Sequence, residues 1–315
     1  MSADLHTGKA GTALGAGRTP GSVLRARTRR IPAPWAYLLA AVVLLALVSV
    51  YPLVQLVHLA FSAVGPTNLI GSWPWAGLAN FRTVLANPEL MQAVRVTAWL
   101  TVMLLVSDLV LGFIVASVLV GRSRSTSAVM SLMVFVWALP PLVSGSVWKF
   151  LLSSNGAVNS LLGLLGFRPV DFLASPTLAL WSVGLVTCWS ALPFATMVLR
   201  GGMLAVPRDL IEAAAIDGAR YWKIQTRIVL PLLRPTMGIL AILAVIYSFQ
   251  GFNFIYVMTE GGPGTATANV PFFAYQQAFT SFELSGGAAI ALLALAFVLM
   301  LAVPYALNVR HEESE

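Results

Sequence analysis

The chain has 315 residues, of which 58% are hydrophobic and only 10% charged, with a formal net charge of +7. A soluble domain carries about 25% charged residues, so the balance excludes an ordinary soluble protein and points to a membrane. The positive charge would suggest nucleic acid in a soluble chain, but here the position of the bases matters more than their total.

Residues 1–30 are rich in Gly, Ala, Ser, Thr and Arg and end in "RARTRR". They are expected to form a disordered basic cytoplasmic tail. The apolar run that follows, Trp35 to Phe61, holds no formal charge. It is longer than the 7–15-residue core of a cleaved signal peptide, so it reads as a retained transmembrane helix. A helix needs about 20 apolar residues to cross a bilayer. By that measure hydropathy predicts six spans, at 35–61, 96–120, 128–149, 177–199, 236–259 and 286–309, with 311–315 as a short cytoplasmic tail.

Bases collect on the cytoplasmic side of a membrane protein. With the N-terminus inside, the inner segments receive fifteen of the nineteen Lys and Arg residues, and the outer segments receive Arg82, Arg95, Lys149 and Arg168. The prediction is therefore N-in, C-in. The outer segments, 62–95, 150–176 and 260–285, contain the turn-forming stretches "GSWPWAG", "SSNGAVN" and "GGPGTATANVP". Trp73, Trp75 and Trp148 are candidate interfacial anchors.

Asp108 is the formal charge well inside a span, in "LLVSDLVLGF". An acid at the bilayer centre costs about 2.5–3.5 kcal/mol on insertion scales. It reads either as a cavity-facing or proton-relay acid, or as one satisfied by a hydroxyl or amide of a neighbouring helix. Cys188, the one cysteine, reads as a small buried packing residue.

Helix breakers and polar residues gather in spans 3 to 5: "WALPPLVSGS" with Pro140 and Pro141, "TCWSALPF" with Pro193, and "YSFQGFNF". Proline removes an intrahelical hydrogen bond, and the freed groups are tolerated at membrane depth where neighbours or water satisfy them. A water-filled path would do so. In span 5, Tyr247, Phe249, Phe252 and Phe254 alternate with Ser248, Gln250 and Asn253. Aromatic faces beside amides and hydroxyls suit a neutral, hydroxyl-rich solute.

No phosphate-binding loop, histidine cluster or nucleophile–base pair is evident. The prediction is no catalytic residue, no metal site, no cofactor in this chain, and no enzyme activity of its own.

The polar segment 205–235 is the long inner loop. Pro207 opens a helix with Asp209 and Glu212 near its positive end. "EAAAI" continues it, Gly218 stops it, and a second short helix starts at Tyr221, with Tyr221, Ile224 and Ile228 as an apolar stripe. Pro231 and Pro235 lead into span 5.

"EAAAIDGA" followed by "IVLPLLRP" resembles the EAA signature of the membrane subunits of binding-protein-dependent ABC importers, matched by Glu212, Ala213, Ala214, Asp217, Gly218, Ile228, Leu230 and Pro231. Gln225 stands where that family often has an aromatic residue. "WALPPLVSGSVWKFLLSSNGAVNSLL", "FNFIYVMTEGGPGTAT" and "YQQAFTSFELSGGAAIAL" are similar to the carbohydrate-uptake permeases, in particular those of maltose and glycerol-3-phosphate importers. The resemblance covers about residues 31–310. It implies an all-α membrane protein with the type I ABC importer permease fold.

It also implies a second, homologous permease forming a heterodimer with this one, two ATPase subunits that hold ATP and Mg, an extracellular solute-binding protein, and a bacterial cell (inner) membrane location. Glu212, Ala213, Ala214, Asp217 and Gly218 would couple to the ATPase, Gly218 as a hinge and Ala213–Ala215 as a close-packing face. The positions aligned with disaccharide contacts are Ser144, Thr187, Ser190, Phe194, Tyr247, Ser248 and Gly251, to which the composition of span 5 adds Gln250 and Asn253. The alternatives are an ABC permease for a non-sugar solute and a proton-coupled secondary transporter using Asp108.

Overall fold

The computed structural model describes residues 34–121 and 123–312, in which every regular element is a helix. The predicted tail, residues 1–30, lies outside the described residues. The chain divides at Val50. Up to that point the described residues form one exposed apolar helix, the first part of span 1 (Pro34–Ala60). At 1.5 Å per residue its 27 residues reach about 40 Å, more than a bilayer's hydrocarbon core.

From Tyr51 onward the helices pack together. Span 2 opens at Pro88 rather than at 96, because Asn87, Pro88 and Glu89 make a strong helix start. The Asn87 side chain accepts the Glu89 N–H at 2.9 Å, proline occupies the first turn, and Glu89 faces the positive helix end. Span 2 runs to Val118 and is interrupted by a π-helical turn, Val106–Leu111.

Span 3 departs from the prediction of one helix over 128–149. Ser123 caps a helix Arg124–Ala138, and the chain then bends by 99° into the segment Pro141–Leu164. The cause is the Pro140–Pro141 pair. A residue before proline is pushed out of the helical region, and Leu139 and Pro140 both stand in that position, with ψ of 131° and 130°. The bent segment contains helices Pro141–Leu152 and Ala157–Leu164. Trp148 is therefore carried inward, half-buried edge-on to Trp189 at 5.5 Å. Trp75 stays exposed and stacks on Phe61.

Span 4 (Pro176–Ala205) is an unbroken helix that absorbs Pro193. Span 5 runs Arg234–Gln250, turns at Gly251, and resumes as Phe252–Met258. Span 6 is Leu284–Glu312. Among the described residues five helices are long and apolar enough to cross a membrane, and the bent pair makes a sixth if counted as one span.

Close approach of the spans depends on small residues. A Cβ on Gly184 would lie 2.5 Å from the Met103 sulfur, so spans 2 and 4 nearly touch there. Leu104, Cys188, Ala191 and Ala244 form the centre of that packing, with Cys188 buried as expected. The segment between spans 5 and 6 is not a solvent loop. Thr267, Ala268, Asn269, Val270, Phe272 and Phe273 are all buried against spans 2, 4, 5 and 6. Large apolar side chains such as Leu132, Phe135, Leu185 and Leu299 point outward instead, as a hydrocarbon solvent permits.

Candidate functional site: the coupling segment and the broken spans

The segment after span 4 folds as a helix, a turn and a second helix. Arg208–Ile216 is the first helix, with Asp209 in its first turn. Gly218 ends it at φ +78°, a conformation costly for any residue with a Cβ. The Gly218 N–H donates to Ala215 O and the Ala219 N–H to Ala214 O, both at 3.0 Å. This nested pair satisfies carbonyls that a helix end leaves without partners. The second helix starts at Tyr221–Ile224, passes through a π-helical turn, Gln225–Val229, and ends at Leu230–Leu232 before Arg234 opens span 5.

The two faces of this segment differ. Ile211, Ala214, Ala219, Ile224, Ile228 and Val229 enter one core with Phe113 and Ala116 of span 2, Leu199 and Met203 of span 4, and Leu240 of span 5. Glu212, Ala213, Ala215, Asp217 and Gly218 are exposed. Ala214 thus packs against its own chain, whereas Ala213 and Ala215 remain on the outer surface. Gln225, the first residue of the π turn, is buried beside Ile224, whereas Tyr221 stays half-exposed.

Two contacts at this site have no signature in the sequence. The Tyr221 hydroxyl donates to the backbone carbonyl of Ser117, and the Arg200 Nε–H donates to the carbonyl of Leu119 at 2.7 Å. Both acceptors belong to the end of span 2. A tyrosine phenol is protonated at neutral pH, so Tyr221 serves as the donor.

The predicted path residues fall on three broken or proline-bearing elements. Ser144 is buried just past the bend in span 3 and donates to Pro140 O and Pro141 O. Thr187 and Ser190 are buried on span 4, and Thr187 donates to Val183 O at 2.8 Å. Phe194 stacks on Trp137 at 5.9 Å, joining span 4 to the exposed end of the first span 3 helix. Tyr247 packs on the cluster around Cys188. Asn253 is exposed, and the side chain of Gln250 lies outside the described residues.

Ser248 is 1% exposed and pairs with the hydroxyl of Thr101 at 2.7 Å. It belongs to a wider network. Asn269 donates its amide to Ser248 O at 3.3 Å and accepts the Phe272 N–H, while the Thr97 hydroxyl accepts the Val270 N–H at 2.9 Å. These bonds hold the buried outer segment against the break at Gly251, where a Cβ would lie 3.3 Å from Ser248 O. Thr97, Thr101 and Asn269 are additions to the predicted set. "NVP" at Asn269–Pro271 is a helix-start signal that could have drawn notice to Asn269.

Asp108 sits in the π turn of span 2, buried, with its Oδ1 lacking a hydrogen-bond partner among the described residues. The neighbouring hydroxyl or amide that one reading of the sequence anticipated is therefore not seen. The described residues contain no group of three or more His, Cys, Asp or Glu side chains fit to hold a metal.

A multi-pass helical bundle with broken central spans and an exposed helix–glycine–helix between spans 4 and 5 is the architecture of a transporter's membrane subunit. Residues 108–312 match the family described as the binding-protein-dependent transport system inner membrane component, and the chain belongs to that family. It is 32% identical over 233 residues to the trehalose/maltose transport system permease protein MalF of Thermococcus litoralis, covering 74% of this chain and 79% of that one. It is 30% identical to the diacetylchitobiose uptake system permease protein DasB of Streptomyces coelicolor, covering 95% and 93% of the two chains. Its fold resembles a chain in the crystal structure of a bacterial alginate ABC transporter in complex with an alginate pentasaccharide-bound periplasmic protein. That similarity has a TM-score of 0.74 at 21% identity and covers 86% of this chain and 91% of the other.

Proposed function

We propose that this chain is one permease subunit of an ABC importer for a sugar or related polyol, inserted N-in and C-in. It pairs with a second permease to form a heterodimer, receives solute from an extracellular binding protein, and is driven by two ATPase subunits that carry ATP and Mg. The observation that carries the reading is the two-faced coupling segment. Its exposed face, Glu212, Ala213, Asp217 and Gly218, is available to another protein, and its buried face is continuous with the core of spans 2, 4 and 5. ATP-driven closure of the ATPases displaces this segment, and the spans change the side on which the path opens.

The sugar class is supported by the relatives' names and by the aromatic and amide residues around the break in span 5. The solute path in this reading runs past Ser144, Thr187, Ser190, Phe194, Tyr247, Ser248, Gln250, Gly251 and Asn253. Ser144, Thr187 and Ser248 already donate to backbone carbonyls, so toward a sugar they act as acceptors.

The test is Glu212→Lys in correctly inserted protein assembled with its partners. Uptake and solute-stimulated ATP hydrolysis should fall together. Retention of both would remove the coupling role.

A further inference from the structure

The last carbonyls of a helix have no partners within it. At the end of span 2 two of them are taken by side chains from elsewhere: Ser117 O by Tyr221 of the coupling segment, and Leu119 O by Arg200 of span 4. Arg200 also places a positive charge at the negative end of the helix dipole. Ser117 and Tyr221 are 104 residues apart in sequence. Their bond joins the coupling segment to a span that does not follow or precede it in the chain.

Two further features bear on motion. The π turn Val106–Leu111 lies directly above the clasped part of span 2, and such turns are common sites of helix bending. Beside it, an apolar groove of about 480 Å³ separates Leu109, Phe113 and Ile114 of span 2 from Trp222, Leu230 and Met237. The same side of span 2 is thus tied at its end and faces an apolar groove above.

We infer that Tyr221 and Arg200 are positioning residues that clamp the end of span 2 to the coupling segment and span 4, so that displacement of the segment moves residues 112–119 with it and is absorbed at the π turn. This rests on the coupling role proposed above. Span 5 is reached through the backbone, whereas span 2 is reached through apolar packing at Phe113 and Ala116 and, at its end, through the directional bond from Tyr221. Loss of the phenol hydroxyl should therefore leave assembly intact and weaken delivery of motion.

The experiment uses the complete transporter reconstituted in liposomes and measures solute moved per ATP hydrolysed. Tyr221→Phe should lower that ratio about fivefold, the effect of losing one hydrogen bond of ordinary strength, without loss of the ATPase subunits on purification. An unchanged ratio in Tyr221→Phe, alongside a joint fall of uptake and ATP hydrolysis in Glu212→Lys, overturns the clamp and leaves the coupling role standing. Retention of both uptake and solute-stimulated ATP hydrolysis in Glu212→Lys overturns the coupling role itself. Spin labels supply a second measurement that needs no destabilising change at the clamp. With Cys188→Ser, Gly121→Cys and Lys223→Cys, the label distance should stay fixed between ATP-free and ATP-bound states, and a change would overturn the clamp.

Discussion

The hydroxyls of Thr101 and Ser248 lie 2.7 Å apart and join span 2 to the residue three positions before the break in span 5. A backbone carbonyl of its own helix, Thr97 O or Val245 O, lies within reach of each, so one hydroxyl donates to its carbonyl while the other donates across the pair. Thr101→Val keeps the shape and removes the shared bond. Interhelical polar contacts in membranes average about 0.6 kcal/mol and reach about 1.7. The expected loss of unfolding free energy lies in that range, and Ser248→Ala should add little to it in the double variant. Additive losses would show that the two hydroxyls are not coupled.

Gly287 and Gly184 both sit at close helix contacts, but what opposes them differs. A Cβ at Gly287 would lie 2.7 Å from the backbone oxygen of Ala274, whereas at Gly184 it would meet the flexible end of Met103. Backbone cannot step aside and a methionine side chain can. Gly287→Ala should therefore cost about 1–3 kcal/mol, the usual range for overpacking, and Gly184→Ala less. Comparing the thermal midpoints of the two purified variants tests the order.

Gly218 has φ +78°, and a Cβ placed there would meet nothing within 4 Å. Gly218→Ala is thus opposed by backbone conformation alone, at about 1–2 kcal/mol for a left-handed alanine. Amide hydrogen exchange at Gly218 and Ala219, which donate to Ala215 O and Ala214 O, should accelerate roughly tenfold while exchange in span 4 stays unchanged. Equal acceleration in both regions would mean that the turn is not an independent hinge.

Asp108 is buried in span 2 and its Oδ1 has no hydrogen-bond partner among the described residues. Removing the ionisable group while keeping its shape should not harm the fold. Asp108→Asn is expected to leave stability equal or raise it, by up to the roughly 2.5–3.5 kcal/mol that a central acid costs on insertion. A clear loss of stability in the assembled transporter would mean that another subunit supplies the carboxylate with a partner.

The spans and the coupling segment were legible because their signals are local. Long apolar runs mark helices that must satisfy their own backbone in lipid, and Glu212–Gly218 carries both a helix-forming run and the one residue suited to a left-handed stop. The bend in span 3 was only half legible. Pro140 and Pro141 announce a break, but whether a proline kinks a helix or turns it through 99° depends on the packing around it. Span 4 passes through Pro193 without breaking. The π turns at Val106–Leu111 and Gln225–Val229 have no comparable signal. An inserted residue changes which side chains face inward without altering hydropathy.

By itself the sequence determined that this is a multi-pass helical membrane protein, which of its segments are apolar enough to span, and where a polar segment interrupts them. These follow from transfer free energy and backbone geometry, both of which act on a few residues at a time. Only the tertiary structure decided that Tyr221 holds Ser117, that Thr101 meets Ser248, and that the segment after span 5 folds back among the helices. Each brings together groups far apart in the chain, and their pairing depends on how the helices pack rather than on any local preference.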